Sequence, residues 1–418
     1  MYTREASSLD LFTDSVRLMG DATLCAVMEF DCRLDPGRLE RSAQACLLAH
    51  PILHSRLIRG SGPAFWEMTE SARHPPVDAE DCPEDYHPLV IGSVDPYGQL
   101  QFCVRLLRRP SGDVIVINLA HAAADAFGLH TLMAQLLEEY ESPGSILPAD
   151  GGIPERDTLW TRALAPEQVS LPSATRMIDP LWPDPFGTSD KSPTYHRDCI
   201  SPRELEKIQA KAKSRGGNLN DAVMAAYFLA MSDLTGHNGP IPLFFPVNLR
   251  QHKNNGFRVM SNQAANVCIP IGRSDNEGME EILPRVIAET KILKGQRIGI
   301  AEQTDMDASS DPEGRNIQQM VERMAALQNN EGLADIFISN PGRIALPGMD
   351  GLIDAYVCYP RGYMPTTCFI TSTFRGKMTI TMGYQDSERA RTGTRKAMDL
   401  FRHYLLSLAK GNEPRDPV

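Results

Sequence analysis

An apolar run that ends at a histidine constrains the fold of this chain more than any other stretch. The run Val114–Leu119 is short and rich in Val and Ile, which is typical of a buried strand. His121 follows it, three alanines and Asp125 come next, and a helical pattern then extends from Phe127 to Tyr140. An imidazole at the end of a buried strand can reach into a cleft and accept a proton near neutral pH. The stretch therefore predicts a strand, a tight turn and a helix, with His121 as a candidate catalytic base.

The same residues also allow a purely structural interpretation. A buried histidine is often satisfied by a backbone carbonyl, and an aspartate before a helix is a common N-cap. Under that interpretation, His121 and Asp125 stabilise the turn and perform no chemistry. The turn alone leaves both interpretations open, so the other stretches of the chain decide between them.

The pattern His-x-x-x-Asp at a strand-to-helix turn resembles the active-site motif of the thioester-dependent acyltransferase superfamily. This superfamily includes condensation domains of peptide synthetases, alcohol acyltransferases and chloramphenicol-acetyltransferase-like enzymes, and its usual motif is H-H-x-x-x-D-G. The chain matches that motif at His121 and Asp125 and departs from it at Ala120 and Ala126. The resemblance implies that His121 is the general base and that Asp125 supports it. We also expect Gly128 to support the turn, and if the motif glycine has a positive φ, Ala126 adopts that conformation at a cost.

The resemblance extends over nearly the whole chain, because further stretches match the superfamily in the same order. They are His50-Pro51-x-Leu53, Pro246-Val247-Asn248-x-Arg250, Ser261-Asn262 and Ser339-Asn340-x-Gly342. Carried over, Arg250 is the expected ion-pair partner of Asp125. Asn262, Ser339 and Asn340 are candidate substrate-binding residues, and so is Ser372, because other branches of the superfamily use a hydroxyl there to stabilise an oxyanion. Turn chemistry and strand propensity also explain these residues without catalysis.

The resemblance implies an α/β (α+β) fold of two chloramphenicol-acetyltransferase-like subdomains with mixed sheets. These halves form a V with a tunnel at the junction. We expect residues 1–150 to form the N-terminal half with the motif, residues 151–194 a linker with a short helix near 165–169, and residues 195–418 the C-terminal half. Composition predicts a loop for residues 69–95 and a polar, mobile segment for Gly299–Glu313.

Composition excludes several classes of function. The 418 residues carry a formal net charge of −11, which argues against binding to nucleic acid or to an anionic membrane surface. We find no signal peptide and no apolar run long enough to span a membrane. The nine scattered cysteines form no C-x-x-C pair, so we expect free thiols and a cytoplasmic protein. No metal site is predicted, because Pro51 separates His50 from His54.

The resemblance implies a free-standing acyltransferase with His121 as general base. The donor is a pantetheine thioester, either acyl-CoA or the phosphopantetheine arm of an acyl or peptidyl carrier protein, and no cofactor is bound permanently. The acceptor is a small alcohol or amine, as in lipid or secondary metabolism. The alternative is a degenerate, non-catalytic condensation-like protein that binds a carrier protein or a pathway partner, and Ala120 and Ala126 are its support.

Overall fold

The structure is a computed structural model, and it describes most of the two predicted halves. The described residues are 2–69, 77–149, 152–153, 182–187, 193–239, 241–252, 259–274, 277–295, 297–359 and 366–410. The short helix predicted near residues 165–169 lies outside them.

Up to residue 153, the described residues form seven strands and three helices. The strands are β1 (Thr3–Glu5), β2 (Thr23–Phe30), β3 (Ser55–Ile58), β4 (Phe65–Met68), β5 (Val77–Asp81), β6 (Phe102–Arg109) and β7 (Gly112–Ala120). The helices are α1 (Ser8–Ser15), α2 (Pro36–Ala49) and α3 (Ala126–Glu141). Each helix begins after a polar residue whose side chain accepts a backbone N–H, namely Ser7, Asp35 or Asp125.

From residue 182 onwards, the described residues form eight strands and six helices. The strands are β8 (Trp182–Pro183), β9 (Pro193–Ile200), β10 (Ile241–Asn248), β11 (Ala264–Ile271), β12 (Leu333–Arg343), β13 (Leu352–Cys358), β14 (Thr366–Phe374) and β15 (Lys377–Gln385). The helices are α4 (Pro202–Ser214), α5 (Leu219–Thr235), α6 (Met279–Gly295), α7 (Ile300–Ser309), α8 (Arg315–Glu331) and α9 (Glu388–Lys410). Ser201 and Asn218 cap α4 and α5.

Two large mixed sheets organise the molecule, which confirms the predicted fold class. The first sheet has the strand order β13-β2-β7-β6-β5, and the second has the order β11-β10-β12-β14-β15-β9 with β8 beside β12. A small third sheet has the order β1-β4-β3. Parallel pairing occurs between β5 and β6, between β10 and β12, and between β12 and β14.

Each large sheet has its own hydrophobic core. The first core includes Phe12, Leu47 and Leu132, which come from α1, α2 and α3. The second includes Phe228 of α5 and Phe401 of α9. The Ala- and Met-rich face of α5 is buried, as expected of a core helix.

Strand β13 belongs to the second part of the chain but completes the first sheet. It pairs antiparallel with β2, and Cys358 lies opposite Cys25. The predicted domain boundaries at residues 150 and 195 stay a prediction. β13 comes after both boundaries in the sequence but belongs to the sheet formed by the first part of the chain. Because β13 and β7 both pair with β2, the end of β13 lies close to the end of β7, which His121 follows.

Regular structure occurs in the segment predicted to be a loop and in the segment predicted to be polar and mobile. The predicted loop 69–95 contains β5, whose side chains are mostly exposed and whose backbone pairs with β6, so the pairing offsets its low strand propensity. The predicted mobile segment Gly299–Glu313 contains α7, which buries Ile300 and Gln303. The loop prediction is wrong at Val77–Asp81, because pairing with a strand distant in sequence, rather than local pattern, stabilises this element. The mobility of Gly299–Glu313 stays a prediction.

Candidate active site

The site begins where β7 ends. All nine residues of β7 are buried, so the strand direction is fixed and His121 emerges at a defined point. The backbone N–H of His121 donates to the carbonyl of Ala22 (3.0 Å), which extends the pairing with the β2 side by one residue. Ala122, Ala123 and Ala124 then turn the chain, and all three are buried. The small side chains allow this tight connection between strand and helix.

Asp125 is the N-cap of α3 and also the centre of a hydrogen-bonded cluster. Its Oδ1 accepts the N–H of Gly128 (3.1 Å), and its Oδ2 accepts Nη1 of Arg250 (2.7 Å) and the N–H of Gln263 (2.9 Å). Both charged side chains are buried. The ion pair expected between Arg250 and Asp125 is therefore present, and its donors come from the second part of the chain.

Arg250 is itself held on several sides. Its Nη2 donates to the carbonyl of Ser261 (2.8 Å), its backbone N–H donates to Oδ1 of Asn248 (3.0 Å), and its guanidinium lies 4.5 Å from the ring centre of Phe127. The bonds to Asp125 and Ser261 give both terminal nitrogens of the desolvated guanidinium an acceptor, as a buried ion pair requires. The pair shapes the turn that carries His121.

Gly128 lies against the turn, as expected, whereas Ala126 differs from what the motif comparison implied. A Cβ on Gly128 would lie 2.7 Å from Cβ of Ala124, so the helix approaches the turn too closely for any side chain at residue 128. Ala126 is the first residue of α3, and it is not among the non-glycine residues with positive φ. The expected strain at Ala126 is therefore wrong, because this position is helical.

The imidazole of His121 is oriented by the turn itself. Its Nδ1 lies 3.1 Å from the carbonyl oxygen of Ala124. Because a carbonyl only accepts, Nδ1 carries the proton in the neutral ring, and the basic lone pair is on Nε2. Burial lowers the pKa of His121 below its usual value, although the Asp125 charge and the Ala124 carbonyl act in the opposite direction. The ring is thus neutral, and able to accept a proton, at pH 7.

A cavity of about 120 Å³ lies against His121 at the junction of the two halves. Its lining includes Leu9, Phe12 and Leu129 from the first part of the chain, and Phe337, Val357 and Ile370 from the second. Polar side chains interrupt this apolar surface, and Tyr359 lies edge-on to His121 with 6.2 Å between ring centres. A tunnel with two openings stays a prediction, but the cavity does lie between the halves.

The four candidate substrate-binding residues do not all meet at this cavity. Asn262 and Ser339 line it. Asn340 faces the opposite side of β12 and lines a second cavity of about 340 Å³, together with residues of α4. Ser372 accepts the N–H of Val357 through its Oγ (3.3 Å). Alternation along β12 turns Asn340 away from the cavity beside His121, and Ser372 joins β14 to β13. Substrate contact at these two residues stays a prediction.

Three residues near the site were missed by the sequence analysis. Gln263 contributes a backbone N–H to Asp125, Tyr359 faces His121, and Asp10 accepts a hydrogen bond from Nδ2 of Asn262 (3.1 Å). Only Asp10 had a local signal, since Ser7 and Asp10 have the spacing of a helix capping box. That signal indicates a helix start and says nothing of the site.

Neither a metal site nor a membrane span is found in the described ranges. Among these residues, no three His, Cys, Asp or Glu side chains are placed to hold a metal ion. No helix in the same ranges is both long and apolar enough to cross a membrane.

Comparisons with known proteins match the fold rather than a specific activity. No protein-family model matches the chain. Two uncharacterized proteins from strains of Mycobacterium tuberculosis are 24% identical to it over 347 residues, which cover 76% of this chain and 78% of each relative.

Solved structures cover almost the entire chain. The trichothecene 15-O-acetyltransferase TRI3 from Fusarium sporotrichioides matches with a TM-score of 0.72 and 13% identity, over 97% of this chain and 95% of that one. Polyketide synthase associated protein 5 from Mycobacterium tuberculosis matches with a TM-score of 0.67 and 16% identity, over 96% and 97%. The EpoB NRPS cyclization-docking bidomain from Sorangium cellulosum matches with a TM-score of 0.68 and 13% identity, over 99% and 86%. The chain has the fold of condensation domains and related acyltransferases, as the resemblance predicted.

Proposed function

We propose that the protein is an acyltransferase that moves an acyl group from a pantetheine thioester to a hydroxyl or amine, with His121 as general base. One observation carries the proposal. The neutral imidazole, with Nδ1 hydrogen-bonded to Ala124, borders a cavity to which both halves contribute. A base with a fixed tautomer beside a shared cavity is what direct transfer between two bound substrates needs.

The reaction uses His121 as a temporary holder of one proton. Nε2 accepts the proton of the hydroxyl or amine while its oxygen or nitrogen attacks the thioester carbonyl carbon. The tetrahedral oxyanion then collapses, the C–S bond breaks, and the leaving sulfur takes the proton from Nε2. The products are an ester or amide and a free thiol, and the ring is neutral again. Asp125 and Arg250 hold the turn and exchange no proton in these steps.

The mainly apolar lining of the cavity suits an apolar part of the acyl donor or of the acceptor. Leu9, Phe12 and Ile370 are among the side chains that an acyl chain would contact. A cavity of about 120 Å³ holds a group roughly the size of a benzene ring. The cavity therefore fits the reacting carbonyl and the first part of a chain. The pantetheine arm reaches it from outside, carried by CoA or by a carrier protein.

A second candidate is a non-catalytic protein that binds a carrier protein or pathway partner. The observation that favours it is Ala120, which replaces the first histidine of the motif and is 1% exposed. Ala126 no longer supports this candidate, because its backbone is helical.

A substrate screen tests the proposal. The purified protein would be incubated with acyl-CoA compounds of different chain length and with acylated carrier protein, against pooled alcohols and amines. Mass spectrometry should find a new ester or amide together with an equal amount of free thiol. If no thioester is consumed beyond its uncatalysed hydrolysis, or if thiol is released without acylated acceptor, acyl transfer is refuted. Binding without turnover would favour the second candidate.

A further inference from the structure

The buried carboxylate of Asp10, in α1, contacts a residue that lines the cavity, Asn262. Asp10 is 1% exposed. Its Oδ2 accepts Nη2 of Arg4 (2.8 Å), Nε1 of Trp66 (3.1 Å) and the N–H of Ser7 (3.1 Å). These three donors fix one oxygen of the carboxylate. The position of the other oxygen, Oδ1, is set as a result.

Oδ1 of Asp10 connects to the turn of His121 through one side chain. Nδ2 of Asn262 donates to Oδ1 of Asp10 (3.1 Å), to the carbonyl of His121 (2.9 Å) and to the carbonyl of Ala122 (2.8 Å). Asn262 is 2% exposed and also lines the cavity. The amide thus sits between the carboxylate of α1 and the two peptide groups from which the imidazole projects.

The chemistry of the amide explains why a carboxylate is useful there. The NH₂ group has two hydrogens and faces three acceptors, so it is shared among them. A hydrogen bond to a charged acceptor is roughly twice as strong as one to a neutral acceptor. The hydrogen bond to Asp10 therefore fixes the position of the NH₂ group, and the NH₂ group in turn fixes the two carbonyls of the turn.

We propose that Asp10 is a positioning residue for His121, which it holds in place through the Asn262 amide. This inference rests on the proposed function, because aiming the ring matters for rate only if the ring acts on a substrate. Asp10 touches neither ring nor substrate and takes no part in proton transfer.

The same helix offers a matched control. Asp14 lies one turn further along α1 and is 4% exposed. It forms an ion pair with the half-buried Arg59 (2.7 Å) and accepts the hydroxyl of Tyr97 (2.8 Å). Asp10→Asn and Asp14→Asn therefore each remove one buried negative charge from α1, and only the first changes the link to Asn262.

The experiment compares these two variants with the wild-type protein by histidine-selective ¹⁵N NMR at fixed pH. The His121 ring resonances are assigned by their loss in His121→Ala. Both aspartate variants should lower the melting temperature. Only Asp10→Asn should shift the His121 ring nitrogens, and it should lower kcat about 10²-fold with little change in KM. If Asp10→Asn does not fold, Asn262→Ala takes its place and the same shift is expected.

Unchanged His121 resonances in Asp10→Asn would overturn the inference, and so would equal shifts in both aspartate variants. A shift confined to Asp10→Asn with an unchanged kcat would also overturn it. The two proposals can fail separately. If the wild-type protein turns over no thioester, the proposed function fails, while the NMR comparison still decides whether Asp10 orients the ring.

Discussion

The two sides of the junction contribute different things to the site. The first part of the chain carries His121, the proposed base, and the turn that orients its ring. The second part carries the groups that hold the turn: Arg250 and Gln263 bind Asp125, and Asn262 binds the carbonyls of His121 and Ala122. This difference implies that a mutation in the site can change the reaction rate without changing the free energy of unfolding. A change to the ring should affect rate, whereas a change to the holding groups should affect both.

The largest effect on stability is expected from the loss of Arg250, the cation by which the second part of the chain holds the turn. Arg250→Met leaves the buried carboxylate of Asp125 without its partner, which should lower the free energy of unfolding by about 3–5 kcal/mol. Urea unfolding measures this change. The control is Arg285→Met, because the pair of Arg285 with Glu277 is at the surface and should contribute less than about 1 kcal/mol. If the two variants lost equal stability, the second part of the chain would not hold the turn.

A smaller effect is expected when packing on the ring side is disturbed. Gly128→Ala places a methyl group 2.7 Å from Cβ of Ala124, whose carbonyl orients His121. Overpacking of this kind should destabilise the protein by about 1–3 kcal/mol and lower the rate. Gly295→Ala is the control, since nothing lies within 4 Å of the added methyl group in α6. Wild-type stability and rate in Gly128→Ala would contradict the close approach of helix and turn.

The smallest effect concerns the pH dependence of the rate. A base must be neutral to act, so kcat/KM should fall as pH drops through the pKa of His121. Because burial lowers that pKa, the midpoint should lie below the ordinary value of about 6.5, and the rate should be level above pH 7. A pH–rate profile of the wild-type protein measures it. A midpoint above that value would mean that the charge of Asp125, rather than burial between the halves, dominates at the ring.

Local patterns predicted the elements that carry the site, and the family resemblance predicted the ion pair beside it. The apolar run and the helical pattern after it predicted β7 and α3, and the family resemblance, carried over to Arg250, predicted its ion pair with Asp125. The rest depends on contacts distant in sequence. Strand β5 is polar and exists through its pairing with β6, and the addition of β13 to the first sheet follows no local rule. Asp10 has the sequence of a helix cap, so its contact with Asn262 is visible only in three dimensions.

The central claim is that the ring of His121 acts as the base, and replacing it tests this claim most directly. The measurement is the initial rate of thiol release in His121→Ala, with the thioester and acceptor that the substrate screen identifies. His54→Ala is the control, because His54 is also buried and its Nδ1 also faces a backbone carbonyl, that of Thr69 (3.4 Å). We predict a loss of about 10²–10⁴-fold in His121→Ala and a nearly wild-type rate in His54→Ala. A folded His121→Ala variant that releases thiol at the wild-type rate would contradict the account.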